Sequence, residues 1–260
     1  MANYLNWLMQ NTLPGQVLLQ SWLSRNGIDR TLSYRYVQNG WLKRISQGVY
    51  CRVGREPDWV DAVSCLQMQW ERPVRIAGLT SLALQGYSHY IEQGKPQIWL
   101  ALPAYTKLPG WFSAFESSAT FVRLYTSGLS VDVMSFTTEL KIGDRLLTGS
   151  ISELAAYEIA SSVPAQISFE HADALFQGLN LLSPRKLQVL LCASSSVKTN
   201  RVMLYLAQRN GHPYFQYLDR SRIETGAGKR QIIPGGWLEP DYQITVPRAF
   251  KSKGVEDEST

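Results

Sequence analysis

The feature that most constrains this chain is the stretch 27–55, which reads GIDRTLSYRYVQNGWLKRISQGVYCRVGR. Its first part favours a short helix, because Asp29 is a suitable N-cap residue and Gly40 a suitable helix end. The residues that follow alternate between apolar and basic and then turn at Gln47-Gly48, which is typical of a β-hairpin. A short helix followed by a two-stranded wing predicts the second half of a winged helix-turn-helix.

The residues before this stretch predict the other helices of such a module. Residues 3–11 have apolar side chains at helical spacing, and Pro14-Gly15 ends that pattern. The run 17–27, VLLQSWLSRNG, has the same spacing and ends at Asn26-Gly27. We therefore predict that 17–27 is the first helix of the helix-turn-helix pair.

Positive charge is concentrated in this N-terminal segment. Residues 1–55 contain seven arginines and lysines and a single acid, Asp29, which gives 7 − 1 = +6, whereas the whole chain carries +5. The rest of the chain therefore sums to 5 − 6 = −1. Cations gathered in one small module are expected of a protein that binds a phosphate backbone. The alternative is a solvated basic face without a ligand.

The polar side of the third helix and the basic edge of the wing supply the candidate contacts with DNA. Arginine can bridge two acceptors of guanine and glutamine can pair with adenine, while the smaller side chains suit phosphates or the thymine methyl group. A basic wing can hold the backbone or enter the minor groove, although basic edge strands also prevent edge-to-edge pairing. The predicted DNA-binding residues are Arg30, Thr31, Tyr34, Arg35, Gln38, Lys43, Arg44, Gln47 and Arg52.

The pattern of elements predicts an α+β fold, with an N-terminal winged helix-turn-helix followed by a larger mixed α/β domain that contains a small sheet. We expect residues 1–90 to form the DNA-binding domain with its connector helices, 91–250 to form the second domain, and 251–260 to be a disordered tail. A connector helix begins after Asp58. Three β-rich runs, PQIWLALP, TFVRLY and LSVDVMSF, then predict a sheet of at least three strands.

Helices and two short strands are predicted for the rest of the chain. A capping box at Ser150–Glu153 opens one helix, the segment 169–182 forms another, and Ser183-Pro184 starts a third. The next helix spans 198–210, and its periodicity predicts that Lys198, Arg201 and Arg209 are exposed. Strand candidates lie around the glycine-rich turns of residues 223–247.

Candidate catalytic groups are sparse, and we predict no cofactor, no metal and no enzymatic activity. The run Gly226-Ala227-Gly228-Lys229-Arg230 resembles a phosphate-binding loop but lacks the full spacing and the Ser or Thr of a P-loop. Asp132, Glu239 and Asp241 suggest a metal-dependent nuclease as an alternative. The three histidines, His89, His171 and His212, are too far apart in sequence for a metal-ligand motif.

The odd number and wide spacing of the three cysteines, Cys51, Cys65 and Cys192, argue against a disulfide framework. The N-terminal residues do not have the pattern of a signal peptide, and no segment is as long and apolar as a membrane helix. These observations predict a cytoplasmic protein.

Several phrases in the sequence resemble the AbiEi antitoxins of type IV toxin-antitoxin systems, which also mediate abortive infection against phage. The likeness begins at GI (27–28), continues through YVQNGWL (36–42) and RISQGVY (44–50), and resumes in SVKTNRVMLYLAQRNGHPYF (196–215), GAGKRQIIPGG (226–236) and YQITVP (242–247). It extends over most of the chain. The winged-helix phrases occur in many regulators, whereas the C-terminal phrases are specific.

The resemblance implies a division of labour. The winged helix would bind inverted repeats in the protein's own promoter and repress the operon, and the C-terminal domain would counteract a nucleotidyltransferase-like toxin without forming a stable complex with it. We predict a monomer in solution and two copies on the double-stranded operator, since the sequence has no heptad seam. The alternative hypothesis is a nucleic-acid enzyme in which the winged helix targets a nuclease-like C-terminal domain.

Overall fold

The computed structural model describes residues 4–70, 72–87, 94–125 and 128–251, which fall into two compact units. The first unit contains Met1–Ile76, Ile91–Tyr125 and Glu139–Gly149. The second contains Ala77–Tyr90, Thr126–Thr138 and Ser150–Thr260. His89 and residues 252–260 of the predicted tail lie outside the described residues.

The first unit begins with a winged helix-turn-helix, as the sequence predicts. Asp29 caps the third helix by accepting a hydrogen bond from the Leu32 amide at 2.7 Å, and Gly40 follows its end with a φ of 72°. The elements of this module are α1 (Tyr4–Asn11), β1 (Val17–Leu19), α2 (Gln20–Arg25), α3 (Arg30–Gln38), β2 (Leu42–Ser46) and β3 (Val49–Arg52).

The prediction of one helix over 17–27 is wrong at its start, because Val17–Leu19 is a strand. β1 pairs antiparallel with β3 and completes a three-stranded sheet in the order β1-β3-β2. The Gln69 side chain reinforces the extended backbone, since it accepts from the Leu19 amide and donates to the Val17 carbonyl, both at 2.8 Å. Val17 and Leu18 are fully buried, and they pack into the core from this strand.

A five-stranded sheet forms the rest of the first unit's architecture. Its strand order is β6-β5-β4-β8-β7, with β4 antiparallel to β5 and parallel to β8. Asp58 caps α4 as predicted, and Asp61 returns the bond in a capping box. The elements are α4 (Trp59–Gln69), β4 (Arg75–Ile76), β5 (Gln97–Leu102), β6 (Thr120–Tyr125), β7 (Thr137–Ile142) and β8 (Arg145–Ser150).

The prediction of a third strand over LSVDVMSF is wrong. Residues Val133–Phe136 form a 3-10 turn that Asp132 caps by accepting from the Met134 amide at 3.0 Å. A local carboxylate acceptor stabilises a turn and competes with strand pairing. The hairpin of β7 and β8, which is not among the predicted strands, supplies the strands at that edge of the sheet.

The second unit consists mainly of helices. α6 lies among α5, α7, α8 and α9, and a small antiparallel pair of strands follows them. Its elements are α5 (Gly78–Leu84), α6 (Ser152–Ser162), α7 (Phe169–Gln177), α8 (Pro184–Ala193), α9 (Val197–Arg209), β9 (Trp237–Glu239) and β10 (Ile244–Val246).

Two details of the predicted helices differ. Ile151 precedes α6 and no side chain caps it, because Ser150 donates to Glu158 at 3.1 Å and Glu153 accepts from the Ser183 amide at 2.8 Å. The predicted helix 169–182 ends at Gln177, before Gly178. The Ser183 cap of α8 is confirmed, since its hydroxyl accepts from the Lys186 amide.

The compact units do not follow the predicted boundary at residue 90. β4 lies before that position and β5 and β8 lie after it, yet the three strands share one sheet. The backbone groups of β4 can be satisfied only by strands that come from the later part of the sequence. As a division of function, the boundary stays a prediction.

Candidate nucleic-acid interface

The outer face of α3 is exposed along its length. Ser33 and Tyr36 are buried on the inner side, while the Tyr34 ring on the outer side is 65% exposed. Within the described residues, no hydrogen bond or ion pair holds the guanidinium groups of Arg30 and Arg35. The exposed residues of this face are the five predicted ones, Arg30, Thr31, Tyr34, Arg35 and Gln38.

The wing presents Lys43, Arg44 and Gln47 to solvent. Arg44 remains close to the backbone, because its Nε donates to the Ser46 carbonyl at 3.2 Å. Lys43 forms an exposed ion pair with Glu56, with Nζ 2.7 Å from Oε1, and this hydrogen bond raises the pKa of Lys43. The ammonium would have to exchange a carboxylate for a phosphate in order to bind DNA.

Arg52 differs from the other predicted contacts because it is turned inward. Its Nη1 donates to the Met9 carbonyl at 3.0 Å and also to the Thr12 carbonyl. These bonds satisfy acceptors at the end of α1, where a helix lacks internal donors. We therefore assign Arg52 to the fold and omit it from the proposed interface.

Gln20 connects the wing with the turn of the helix pair. Its amide donates to the Gly48 carbonyl at 2.8 Å, and its side chain donates to the Ile28 carbonyl at 3.1 Å. One residue therefore holds both the tip of the wing and the segment that enters α3. A preformed relation between helix and wing reduces the ordering cost of binding.

A buried carboxylate pairs with a second basic residue of the N-terminal segment. Asp61 accepts from Arg145 Nη2 at 2.7 Å and from Arg55 Nη2 at 2.9 Å. Burial raises the pKa of Asp61, and the Asp58 amide, Arg145 and Arg55 oppose this rise. Because Arg55 is paired in this way, the charge sum of residues 1–55 overstates the cations that are free to meet a phosphate.

Two residues of this surface, Glu56 and Trp41, are not among the predicted contacts. Glu56 lies one residue beyond the charge sum, and it neutralises Lys43. Trp41 is 42% exposed at the junction between α3 and β2. A tryptophan directly after a helix-ending glycine is the signal that marks Trp41 as a surface aromatic next to α3.

The carboxylates of the alternative hypothesis do not form a metal site within the described ranges, where no group of three His, Cys, Asp or Glu residues has suitable geometry. Asp132 caps a 3-10 turn. Glu239 is buried and accepts from the Tyr242 amide at 2.7 Å. The geometry that a metal-dependent nuclease requires is therefore not found among these carboxylates.

The glycine-rich loop surrounds a cation of the protein itself. Arg201 is 3% exposed, so the prediction that α9 exposes it is wrong. Its Nε donates to the Thr225 carbonyl at 2.6 Å and its Nη1 to the Gly228 carbonyl at 2.7 Å. The carbonyls of Gly226 and Gln243 accept from the same group at 3.1 and 3.3 Å. The loop thus directs carbonyl groups at a guanidinium, whereas a phosphate cradle directs amides at an anion.

The exposed outer face of α3, the wing and the five-stranded sheet define a class: proteins that combine a winged helix-turn-helix module with a mixed α/β region. Comparison with known proteins identifies the family. The family profile described as "Transcriptional regulator, AbiEi antitoxin N-terminal domain" matches residues 1–93. The profile described as "Transcriptional regulator, AbiEi antitoxin, Type IV TA system" matches residues 95–247. The chain belongs to the AbiEi antitoxin family of transcriptional regulators.

A solved structure confirms the mixed α and β fold. The crystal structure of the RV2827C protein from Mycobacterium tuberculosis is similar, with a TM-score of 0.56 and 18% identity, over 92% of this chain and 88% of that one. No curated protein matches the chain significantly. Within the described residues, no helix is both long and apolar enough to cross a bilayer.

Proposed function

We propose that this protein binds inverted repeats in its own promoter through α3 and the wing, represses its operon, and counteracts a nucleotidyltransferase-like toxin through its C-terminal domain. The observation that carries promoter binding is the outer face of α3, where Arg30 and Arg35 are exposed and free of acidic partners among the described residues. Family membership supports the antitoxin role.

The contacts divide by chemistry. Arg30, Arg35 and Gln38 have the donors that read base edges in the major groove. Arg44 and Gln47 lie on the wing, where they can hold the backbone or enter the minor groove. Thr31 and Tyr34 complete the helix face with a hydroxyl group each, and Lys43 contributes after it releases Glu56.

A binding titration with the promoter duplex tests the interface. Each arginine–base contact contributes about 1–3 kcal/mol, so Arg30→Ala with Arg35→Ala should weaken binding by at least about tenfold. If both groups contact phosphates instead, the slope of log affinity against log salt should fall by about 2. Lys141→Ala is the matched control, because it removes an exposed cation from β7 in the same unit. Equal affinities of the double variant and this control would contradict the proposal.

Two copies of the module are needed on an inverted repeat, one for each half-site. We propose that the protein is a monomer in solution and that two copies meet on the operator. Sedimentation without DNA should give one chain, and titration of the duplex should saturate at two. A stable dimer without DNA, or one copy per duplex, would contradict this stoichiometry.

The two activities should separate in the full-length protein. With the toxin gene expressed in the same cells, the Arg30→Ala, Arg35→Ala variant should lose repression of a promoter reporter and still rescue growth. The reason is that the substitutions lie on exposed positions of α3 and leave the C-terminal domain unchanged. Loss of rescue at equal protein abundance would contradict a separate antitoxin domain.

A further inference from the structure

A groove of about 740 Å³ lies in the second unit, far in sequence from α3 and the wing. One wall is α8, which contributes Arg185, Val189 and Ala193. The other wall is the segment 217–222, which contributes Tyr217 and Arg222. The proposed promoter contacts use none of these residues.

The groove is held open by hydrogen bonds between its walls. Gln188 accepts from the Asp219 amide at 2.8 Å and donates to the Asp219 carbonyl at 3.1 Å. Cys192 Sγ lies 3.4 Å from the Arg222 carbonyl. Because these bonds fix the second wall against α8, a ligand would enter a shape that already exists.

The charges along the groove favour an anion. Arg185 and Arg222 of the lining are exposed, and no ion pair holds either of them among the described residues. The acid of the lining, Asp219, is already engaged, since its Oδ1 accepts from the Ser221 amide at 3.2 Å and from the Ser221 hydroxyl at 2.5 Å. The lining therefore has two arginines against one acid, and its net charge is positive.

Tyr217 adds an aromatic surface to this basic groove. Its side chain is 70% exposed, and within the described residues its ring stacks on no other ring. An exposed ring beside a line of cations is the arrangement that binds single-stranded nucleic acids, in which bases stack on the ring and phosphates meet the arginines. An acidic protein segment would satisfy the cations, but it would have no need of a flat exposed ring.

We infer that the groove between α8 and residues 217–222 binds single-stranded nucleic acid, with Tyr217 as the stacking surface and Arg185 and Arg222 as phosphate contacts. The site is independent of promoter binding. A short single strand would stack a base on Tyr217 and place its phosphates against the two arginines, within the site sizes of other single-strand binders (about 4–16 nucleotides per module).

Fluorescence anisotropy with a labelled single-stranded RNA of about 12 uridines, and in a second arm the corresponding thymidine DNA, tests the inference. The full-length Arg30→Ala, Arg35→Ala protein is used, so that the winged helix does not contribute. We expect saturable binding that Tyr217→Ala weakens about five- to a hundredfold and that Tyr217→Phe preserves, because the ring remains. Arg185→Ala with Arg222→Ala should reduce both affinity and its salt dependence.

Lys229→Ala is the matched control, since it removes an exposed cation of the same unit outside the groove. Preference for the RNA arm would indicate a contact with the 2′-hydroxyl group, and equal binding would indicate phosphate and base recognition alone; both outcomes support the inference. Absence of saturable binding in both arms, or equal affinity of Tyr217→Ala and wild type, would overturn it. So would binding of an oligoglutamate peptide that shows the same loss in Tyr217→Ala.

Cys192 provides a second measurement that needs no variant. It lines the groove and is exposed, whereas Cys51 and Cys65 are buried. A bound oligonucleotide should slow alkylation of Cys192 by a maleimide by up to about tenfold at a free concentration of ten times the dissociation constant. An unchanged rate under saturation would overturn the placement. Promoter binding by Tyr217→Ala should equal that of wild type, which separates failure here from failure of the proposed repressor function.

Discussion

The arginines of α3 and the arginine of α9 are used in opposite ways. On α3 the guanidinium groups of Arg30 and Arg35 face solvent, whereas Arg201 on α9 is buried beneath the carbonyls of a glycine-rich loop. An exposed arginine is available to a ligand, whereas a buried arginine donates hydrogen bonds to loop carbonyls that secondary structure leaves without a donor. A basic residue in the sequence therefore predicts a nucleic-acid contact only after its acceptors within the protein are known.

The largest expected effect concerns the buried cation. Arg201→Met would leave several carbonyls without a donor at a cost of about 1–3 kcal/mol for each acceptor that stays buried. We expect the free energy of unfolding of the second unit to fall by about 3 kcal/mol. Urea denaturation followed by fluorescence measures this change. Arg201→Lys is the control, because it keeps the charge but cannot reach four carbonyls. An equal loss of stability in both variants would show that the forked shape of the guanidinium matters. No loss of stability in either variant would refute the structural role.

Arg52 and Arg35 allow a crossed test of inward and outward cations. Arg52→Ala should lower the free energy of unfolding by about 1–2 kcal/mol, because two carbonyls near the end of α1 lose a donor, and should leave promoter affinity nearly unchanged below the midpoint of unfolding. Arg35→Ala should weaken promoter binding and leave the free energy of unfolding nearly unchanged. The two variants are compared by thermal denaturation and by DNA titration. The contrast between the regions breaks down if both variants lose affinity equally.

The buried side chain of His212 differs from that of Arg201, because it is more stable in its neutral form. His212 is 5% exposed and its Nε2 lies 2.6 Å from the Phe176 carbonyl; burial lowers the pKa of His212, and the Phe176 contact opposes this. Its contribution to stability is therefore complete above the unfolded value of about 6.5 and is lost as pH falls through the lower folded pKa.

Urea denaturation between pH 5 and 7.5 measures this dependence, which we expect to approach at most about 1.4 kcal/mol per pH unit for one proton. His212→Gln keeps a donor for the carbonyl and removes the titration, so the slope should flatten. An identical slope in the variant would assign the pH dependence to another group.

The smallest expected effect is on promoter affinity and concerns Lys43, a cation that is both exposed and paired within the protein. Lys43 is exposed but paired with Glu56, so Glu56→Gln should strengthen promoter binding by about twofold, in keeping with the small free energies of surface ion pairs. The same substitution in a Lys43→Ala background should have no effect if the gain comes through Lys43. A gain that persists without Lys43 would show that the acid repels the DNA directly.

Local signals explain how much of this fold was predictable. Asp29, Gly40 and Gln47-Gly48 each determine their own neighbourhood, so α3 and the wing follow directly from the sequence. Val17–Leu19 was misassigned because its strand state depends on pairing with residues 49–51, and apolar spacing alone cannot reveal that. The exposed positions of α3 were predicted for the same local reasons, whereas the inward turn of Arg52 depends on carbonyls about forty residues earlier in the chain.

The second unit shows the limit of periodicity. A helical pattern assigns charged residues to the solvent side, and for Arg201 that rule fails because its acceptors lie 24 to 42 residues further along the chain. The groove beside α8 was not predicted either, since Tyr217 and Arg222 meet Arg185 only through the fold. Local sequence patterns therefore do not predict the contacts between distant segments.

The short strand β4 has a consequence for how the gene can be divided. Arg75 and Ile76 are buried between β5 and β8, and the two family profiles meet between residues 93 and 95, after β4 and before its partners. A polypeptide that stops at that junction would carry a strand with two unpaired edges, which favours aggregation. Recombination at this point would therefore separate β4 from both of its partners, so the two parts are expected to be inherited as one piece.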